Sequence, residues 1–178
     1  AVIASSKGIH ITTNGGSTWS QKSSNWVWDV EYHPSNPEIM YASIKNSAWT
    51  YFWRSIDGGE NWTKITNGLP TQVSGENMRR IAVAVSKNAP DNVYLLAGGG
   101  KGSGDSAVGG VYGVWRSTDA GISFTHMCCG AQGVEPGTAS SPNLLDYETS
   151  GLGDGGGQYT WDMDLAVSDN NADLLVMG

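Results

Sequence analysis

The sequence of 178 residues predicts an all-β fold built from repeated units of four short antiparallel strands. Two repeats carry this prediction. One is a turn motif of eight residues: a hydroxyl residue, any residue, Asp or Asn, a small residue, Gly, any residue, a polar residue and an aromatic residue. It occurs at 12–19, 55–62 and 117–124. The other is an alternating strand, a polar turn rich in Pro and Asn, and an apolar strand, at 30–41, 83–94 and 165–176.

The turn motif predicts a tight hairpin turn closed by an aromatic anchor. Its Asp or Asn side chain accepts hydrogen bonds from nearby backbone N–H groups, and its glycines tolerate positive φ. The aromatic residue buries against the sheet. The third copy departs from the others at Ala120, Ser123 and Phe124, so we expect its turn to be looser. The residues assigned this structural role are Asn14, Trp19, Asp57, Trp62, Asp119 and Phe124.

The two repeats alternate along the chain and give four strands per unit with no helical stretch between them. Radial repetition of four-stranded sheets is a β-propeller. We expect the blade units at roughly 1–27, 28–78, 79–160 and 161–178, the last incomplete. A blade takes about 40–50 residues and closed propellers usually have about four to eight blades. Residues 1–178 are therefore expected to be a partial propeller of about three to four blades within a longer parent chain. A complete small domain that closes by dimerisation is the alternative.

The turn motif resembles a known sequence repeat. Residues 55–62, Ser-Ile-Asp-Gly-Gly-Glu-Asn-Trp, are similar to the Asp-box (BNR) repeat of sialidases, xyloglucan-cleaving glycoside hydrolases and sortilin-type receptors. The neighbouring Val-x-Tyr-x-Pro-x-Asn-Pro hairpin is closer to the sortilin-like and xyloglucanase-like groups. The stretch 153–162 resembles large secreted surface proteins of the Bacteroidetes type. The resemblance implies a β-propeller and leaves the function open.

Charge and composition disfavour some partners. The net charge is −7, from 17 acidic and 10 basic residues, which disfavours nucleic acids and anionic membrane surfaces. No apolar run is long enough for a transmembrane helix. Scarce lysine with abundant Gly, Ser, Thr, Asn and Trp is typical of a secreted or cell-surface bacterial β-protein. The adjacent Cys128 and Cys129 leave three states open: a vicinal disulfide, pairing with another part of the protein, or two thiols.

The start of the first strand of each hairpin is where we expect a ligand, because these strands lie nearest the propeller centre. Alternation predicts one face with Trp26, Trp28, Arg79, Ile81, Trp161 and Met163, and the opposite face with Asp29, Arg80, Asp162 and Asp164. Packing between blades is the alternative role for the tryptophans. The residues expected to bind a ligand are Trp26, Trp28, Arg79, Arg80, Tyr159 and Trp161.

Three functions remain in view. The first is a non-catalytic, secreted or cell-surface propeller segment that binds a glycan or a protein. The second is a fragment of a xyloglucanase- or sialidase-like glycoside hydrolase that uses Asp29 and Asp162, since hydrolysis needs two carboxylates across the bond. The third is a structural module of a large adhesin or surface filament. Arg54 and Arg116 precede turn motifs at equivalent positions, so we expect structural or surface roles for them rather than a sialidase arginine triad.

A long loop at 130–158 carries the candidate metal ligands. Its acidic residues stand among glycines, where carboxylate and carbonyl oxygens suit calcium. No other cofactor is expected. The candidate calcium ligands are Asp146, Glu148 and Asp154.

Overall fold

The structure is a computed structural model that describes residues 1–47, 49–101, 108–129 and 163–178. These residues form β-strands and turns, and none of them belongs to a helix that could cross a membrane. The strands are β1 Val2–Ser5, β2 Gly8–Ile11, β3 Ser20–Gln21, β4 Val27–His33, β5 Asn36–Asn46, β6 Trp49–Ser55, β7 Thr63–Lys64, β8 Glu76–Val85, β9 Val93–Lys101, β10 Val108–Ser117, β11 Thr125–Cys128, β12 Leu165–Val167 and β13 Leu175–Met177.

The strands group into blades of antiparallel neighbours, which confirms the all-β prediction. Hydrogen bonds join β1–β3 into one sheet, β4–β11 into a second and β12 with β13 into a third. Within the second sheet, β6 and β8 are joined by a single parallel pairing, Trp49 with Met78. We therefore call β1–β3 the first blade, β4–β7 the second, β8–β11 the third, and β12 with β13 the fourth. Within each blade, sequential strands pair directly, as expected from short turns between alternating segments. The first strands of successive blades lie against each other, β4 against β8 and β8 against β12. These three strands are therefore the inner strands of the array.

Apolar side chains fill the layers between blades. Alternate residues of each strand point to opposite faces, so the second and third blades each contribute to two layers. The layer between the second and third blades is rich in aromatic residues, with the Tyr41 and Phe52 rings stacked 5.8 Å apart between centroids. The principal residues of the layers are Ile9, Val27, Ala42 and Ile44 between blades one and two; Tyr41, Trp49, Phe52, Ile81, Val83 and Leu95 between two and three; and Ala82, Ala84, Leu96, Val111, Met163 and Leu165 between three and four.

The turn motif is held by one hydrogen-bond network in all three copies. In the second copy the Ser55 hydroxyl donates to Asp57 Oδ1 (2.8 Å) and accepts from the Gly59 N–H (2.9 Å). Asp57 Oδ1 in turn accepts from the Asn61 N–H (2.9 Å). These hydrogen bonds, that from the Asn61 N–H first, lower the pKa of Asp57 to about 2. The corresponding residues are Thr12, Asn14, Gly16 and Thr18 in the first copy and Ser117, Asp119, Gly121 and Ser123 in the third.

The expectation of a looser third turn was wrong. Ser123 replaces the asparagine of the second copy, yet its hydroxyl donates to Asp119 Oδ2 (2.5 Å). Ala120 adopts φ of 56°, close to the 68° of Gly58 at the same position. The third turn thus keeps the geometry of the second although Ala120 has to adopt the left-handed backbone conformation, which costs about 1–2 kcal/mol.

The second glycine of the motif is required by its positive φ, and in the second and third copies close packing favours it as well. A Cβ on Gly59 would lie 2.7 Å from the Ile11 side chain of the preceding blade. A Cβ on Gly121 would lie 3.0 Å from the Tyr41 ring, again in the preceding blade. The second and third turns therefore dock their backbones against the preceding blade.

The aromatic anchors differ in burial. Phe124 is buried and meets Phe52 edge-on, with ring centroids 4.9 Å apart. The indole N–H groups of Trp62 and Trp19 donate to the Gly59 and Gly16 carbonyls (2.9 and 3.1 Å). Trp19 nevertheless remains 40% exposed, so its predicted burial was wrong. Its ring closes its own turn beside Gly16.

Cys128 and Cys129 form a vicinal disulfide at the end of β11. Cys129 is buried and belongs to the layer between the third and fourth blades. Of the three states left open by the sequence, the structure has the first.

Candidate functional site

Two tryptophans mark the start of the inner strand of the second blade. The Trp26 carbonyl accepts a hydrogen bond from the Lys45 N–H (2.8 Å), which holds Trp26 against β5 just before β4 begins. The Trp26 and Trp28 rings lie 5.0 Å apart between centroids with their planes tilted by 45°. Trp26 is 42% exposed and Trp28 is half-buried. The pair offers an aromatic surface to solvent.

Two cations flank this surface from different strands. The Lys45 ammonium of β5 lies 4.8 Å from the centroid of Trp26 and 5.7 Å from that of Trp28. The Arg80 guanidinium of β8 lies 5.6 Å from the centroid of Trp28. Such cation–π contacts contribute about 0.5–1 kcal/mol each at exposed sites. We call Trp26, Trp28, Lys45 and Arg80 the aromatic–cationic cluster.

A β-bulge changes the predicted alternation at this point. The pairing of β4 with β5 shifts between Val27 and Asp29, which leaves Trp28 as the extra residue. As a result Val27 and Val30, three residues apart, both reach the layer between the first and second blades. The prediction that simple alternation separates Trp28 from Asp29 was wrong, because a bulge inserts one residue and re-aims its side chain.

The inner strand of the third blade has a bulge of its own. The pairing of β8 with β9 shifts between Met78 and Arg80, which leaves Arg79 as the extra residue. Met78 and Ile81 consequently share one apolar layer. The Arg79 carbonyl accepts a hydrogen bond from the Thr50 hydroxyl (2.6 Å), which fixes the bulge to β6. Of the two arginines predicted to bind a ligand, Arg80 lies in the aromatic–cationic cluster.

Asp29 joins the second blade to the third. Its Oδ1 accepts from the Val30 N–H (2.8 Å) and its Oδ2 from the Val83 N–H of β8 (2.7 Å). Burial raises the pKa of Asp29 above its usual value, against the lowering effect of these hydrogen bonds. Both carboxylate oxygens are occupied by backbone donors. The arrangement therefore suits a link between blades better than a free acid or base.

Glu31 is an acidic group that the sequence patterns did not single out. It follows Asp29 by two residues on the same strand, so both carboxyls point to one face. Burial, and then the charges of Asp29 and Asp164, raise the pKa of Glu31 to about 7. Asp164 immediately precedes β12, and its Oδ1 accepts from the Leu165 N–H (2.9 Å) as Asp29 Oδ1 accepts from the Val30 N–H. The spacing of two residues between Asp29 and Glu31 was the signal in the sequence that could have identified Glu31.

Lys45 was also missed, for a different reason. It follows the apolar run of β5, where no local pattern marks it. Only the antiparallel pairing of Val27 with Ile44 brings its side chain beside Trp26.

Arg54 and Arg116 make contacts between blades. Arg54 Nε donates to the Ala120 carbonyl in the third turn motif (2.7 Å). Arg116 Nη1 lies 3.4 Å from Asp173 Oδ1 of the fourth blade. The contacts agree with the structural roles expected for both residues.

Several predicted site residues lie outside the described residues. Among the residues that the structure describes, no three His, Cys, Asp or Glu side chains are grouped to hold a metal ion. The predicted residues outside the described ranges are Tyr159, Trp161 and Asp162 for ligand binding or catalysis, and Asp146, Glu148 and Asp154 for calcium.

The arrangement of blades is similar to that of solved glycoside hydrolases. An ancestral GH74 enzyme matches with a TM-score of 0.62 and 17% identity, over 98% of this chain and 19% of that one. A GH74 xyloglucanase from Xanthomonas campestris matches with a TM-score of 0.58 and 17% identity, over 96% of this chain and 22% of that one. No protein-family model matches the chain. No curated protein matches it either.

These similarities establish the fold. The chain spans about a fifth of the length of the two structures, and its strands correspond to part of a β-propeller. Identity of 17% establishes the fold alone.

Proposed function

We propose that this chain is a non-catalytic, glycan-binding segment of a secreted or cell-surface β-propeller, with Trp26 and Trp28 as the binding surface. The observation that carries the proposal is the pair of contacting rings at the start of an inner strand, with Trp26 42% exposed and Trp28 half-buried. Large aromatic side chains normally bury most of their surface. An exposed ring in contact with a half-buried one at the start of an inner strand points to a ligand rather than to packing.

The chemistry of the pair suits a sugar ring. The flat, apolar face of an aromatic ring packs against the C–H groups of a pyranose. The Trp28 N–H is buried, so the contact expected at this residue is stacking on the ring rather than a hydrogen bond from the indole. The two rings lie 5.0 Å apart between centroids beside the bulge at Trp28, so the surface is formed without a ligand.

The neighbours in fold support a glycan over a protein as ligand. One of them, the enzyme from Xanthomonas campestris, is a xyloglucanase. The resemblance of the turn motif to Asp-box repeats supports the same choice and a place outside the cell. Neither consideration selects a particular glycan.

An immobilised glycan array tests the proposal, with wild type and the variants Trp26→Ala and Trp28→Ala. Each variant is expected to lose about tenfold or more in affinity, corresponding to about 1.4 kcal/mol, because each removes one ring of the surface. Trp19→Ala is the matched control. Trp19 is a tryptophan of nearly equal exposure, 40%, in a turn motif of the first blade.

Binding that survives in Trp26→Ala and Trp28→Ala, or falls equally in Trp19→Ala, would contradict the proposal. Complete lack of glycan binding by the wild type would favour the structural-module hypothesis instead.

Glycoside hydrolysis is the second candidate function, and Glu31 is the observation that favours it. A carboxyl group with a pKa of about 7 keeps its proton near neutral pH and is suited to act as a general acid. The second carboxylate required by such a mechanism would be Asp162, as the sequence suggests, or Asp164. An assay of reducing ends released from xyloglucan and sialosides tests this, with Glu31→Gln as the inactive variant. Turnover unchanged in Glu31→Gln would exclude Glu31 from this role.

A further inference from the structure

We propose that the aromatic–cationic cluster selects an anionic glycan, one that carries carboxylate or sulfate groups. In this proposal the Lys45 ammonium attracts the anionic group. The proposal rests on the proposed function, since it concerns the same surface formed by Trp26 and Trp28.

Lys45 carries a positive charge that no described carboxylate balances. Among the described residues, no carboxylate lies within ion-pair distance of its ammonium, whereas Lys22 and Lys87 pair with Glu60 and Asp169. The ammonium instead lies over the two indole rings. A half-buried lysine with aromatic contacts and no described counter-ion leaves a positive charge available to a ligand.

Arg80 differs from Lys45 in this respect. Burial raises the pKa of Asp29, and the attraction between its carboxylate and the Arg80 guanidinium acts against that rise. Part of the positive charge of Arg80 is therefore balanced within the protein. Lys45, rather than Arg80, is therefore the cation whose charge is available to a ligand at this surface.

The charge of the cluster contrasts with that of the rest of the molecule. The chain carries a net charge of −7, so an anionic polymer is repelled by the molecule as a whole. Attraction at the cluster has to come from a local cation at short range. Binding of an anionic glycan at this place is therefore specific to the cluster rather than a result of overall charge.

The geometry assigns complementary tasks to the two residue types. A sugar ring stacks on the exposed face of Trp26, and its charged substituent reaches toward the Lys45 ammonium. The ammonium is already held over the indoles, so little side-chain freedom is lost when the ligand binds.

A pair of ligands that differ only in charge tests the inference. Tetragalacturonate and its carboxyl-reduced neutral counterpart are titrated calorimetrically into the whole protein, and a sulfated galactan oligosaccharide is the third arm. We expect the wild type to bind at least one anionic ligand about tenfold more tightly than the neutral one. The uronate and sulfate arms then identify the charged group. The preference is expected to weaken as salt rises from low to physiological concentration.

Lys45→Gln is expected to abolish the preference, so that the anionic and the neutral ligand bind the variant with affinities equal within about twofold. Lys64→Gln is the matched control. Lys64 also lies over an aromatic ring, 4.3 Å from the Tyr51 centroid, but on the outer strand β7. The Lys64→Gln variant should bind every ligand as wild type does.

The outcomes separate the two proposals. Equal affinity for neutral and anionic ligands that still depends on Trp26 and Trp28 overturns the charge preference and retains glycan binding. A preference that persists in Lys45→Gln overturns the role of Lys45. Absence of any binding that depends on Trp26 and Trp28 overturns both.

Discussion

The hydroxyl at the first position of the turn motif has two tasks in each copy. In the third copy the Ser117 oxygen accepts from the buried Gly121 N–H (2.9 Å) and its hydrogen is donated to Asp119 (2.6 Å). Replacing the hydroxyl leaves an N–H group without an acceptor, which costs more than the loss of an average hydrogen bond.

Ser117→Ala is therefore expected to lower the free energy of unfolding by about 1–3 kcal/mol. Urea denaturation followed by tryptophan fluorescence measures the change. Thr118→Ala is the control, because Thr118 lies in the same turn with an exposed side chain. Equal effects of the two substitutions would show that the network does not stabilise the fold.

Glu31 makes stability depend on pH near neutrality. Its pKa is 4.5 in the unfolded chain and about 7 in the folded one. Between these values the unfolded state ionises first, so the folded state loses relative stability as pH rises, and the loss is complete above about 7.

Glu31→Gln should remove this loss. At pH 8 the variant is expected to be more stable than the wild type by about 1–2 kcal/mol, after allowance for solvent screening. At pH 4 the two should be similar. Thermal unfolding across this pH range measures the effect, with Glu38→Gln, a substitution of an exposed carboxylate, as the control. A difference independent of pH would contradict the assignment.

At the scale of the element, the inner strands are joined through Asp29. The two N–H groups from which it accepts belong to different blades, so the carboxylate holds β4 and β8 in register. Asp164 has the same local bond to the next residue but is exposed.

Asp29→Ala is expected to destabilise the protein by about 2–3 kcal/mol, because two backbone donors lose their acceptor. Asp164→Ala should change stability by less than about 0.5 kcal/mol. Differential scanning calorimetry of both variants tests the comparison. A result in which the two are equally destabilised would mean that the link between blades contributes nothing measurable.

The sequence predicted the strands and turns better than it predicted which face of the sheet each side chain points to. Strand pairs follow from the local alternation of apolar and polar residues. Turns follow from the hydrogen bonds of an Asp side chain and the positive φ of the glycines after it. A strand and a turn of this kind are present as expected around residues 55–62. The bulges at Trp28 and Arg79 were not predictable, because a bulge depends on pairing with the adjacent strand. Side-chain direction at the candidate site therefore had to come from the structure.

At the scale of the whole molecule, the sequence predicted those features that its repeats encode. Three copies of one turn and three of one hairpin were enough to predict stacked four-stranded blades. Trp26, Trp28 and Arg80 were predicted for the site because they begin equivalent strands. Lys45 and Glu31 reach the site through pairing and burial, which no repeat encodes.

The central claim is that glycan contacts the Trp26–Trp28 surface. Two-dimensional ¹⁵N–¹H spectra report the indole N–H of each of the eight tryptophans, and single Trp→Phe substitutions assign them. The measurement is a titration with the glycan that binds most strongly on the array. We expect the Trp26 and Trp28 signals to shift, while those of Trp19 and Trp62, bonded to carbonyls in their own turns, stay in place. Shifts confined to Trp19 or Trp62, or no indole shift at saturation, would contradict the claim.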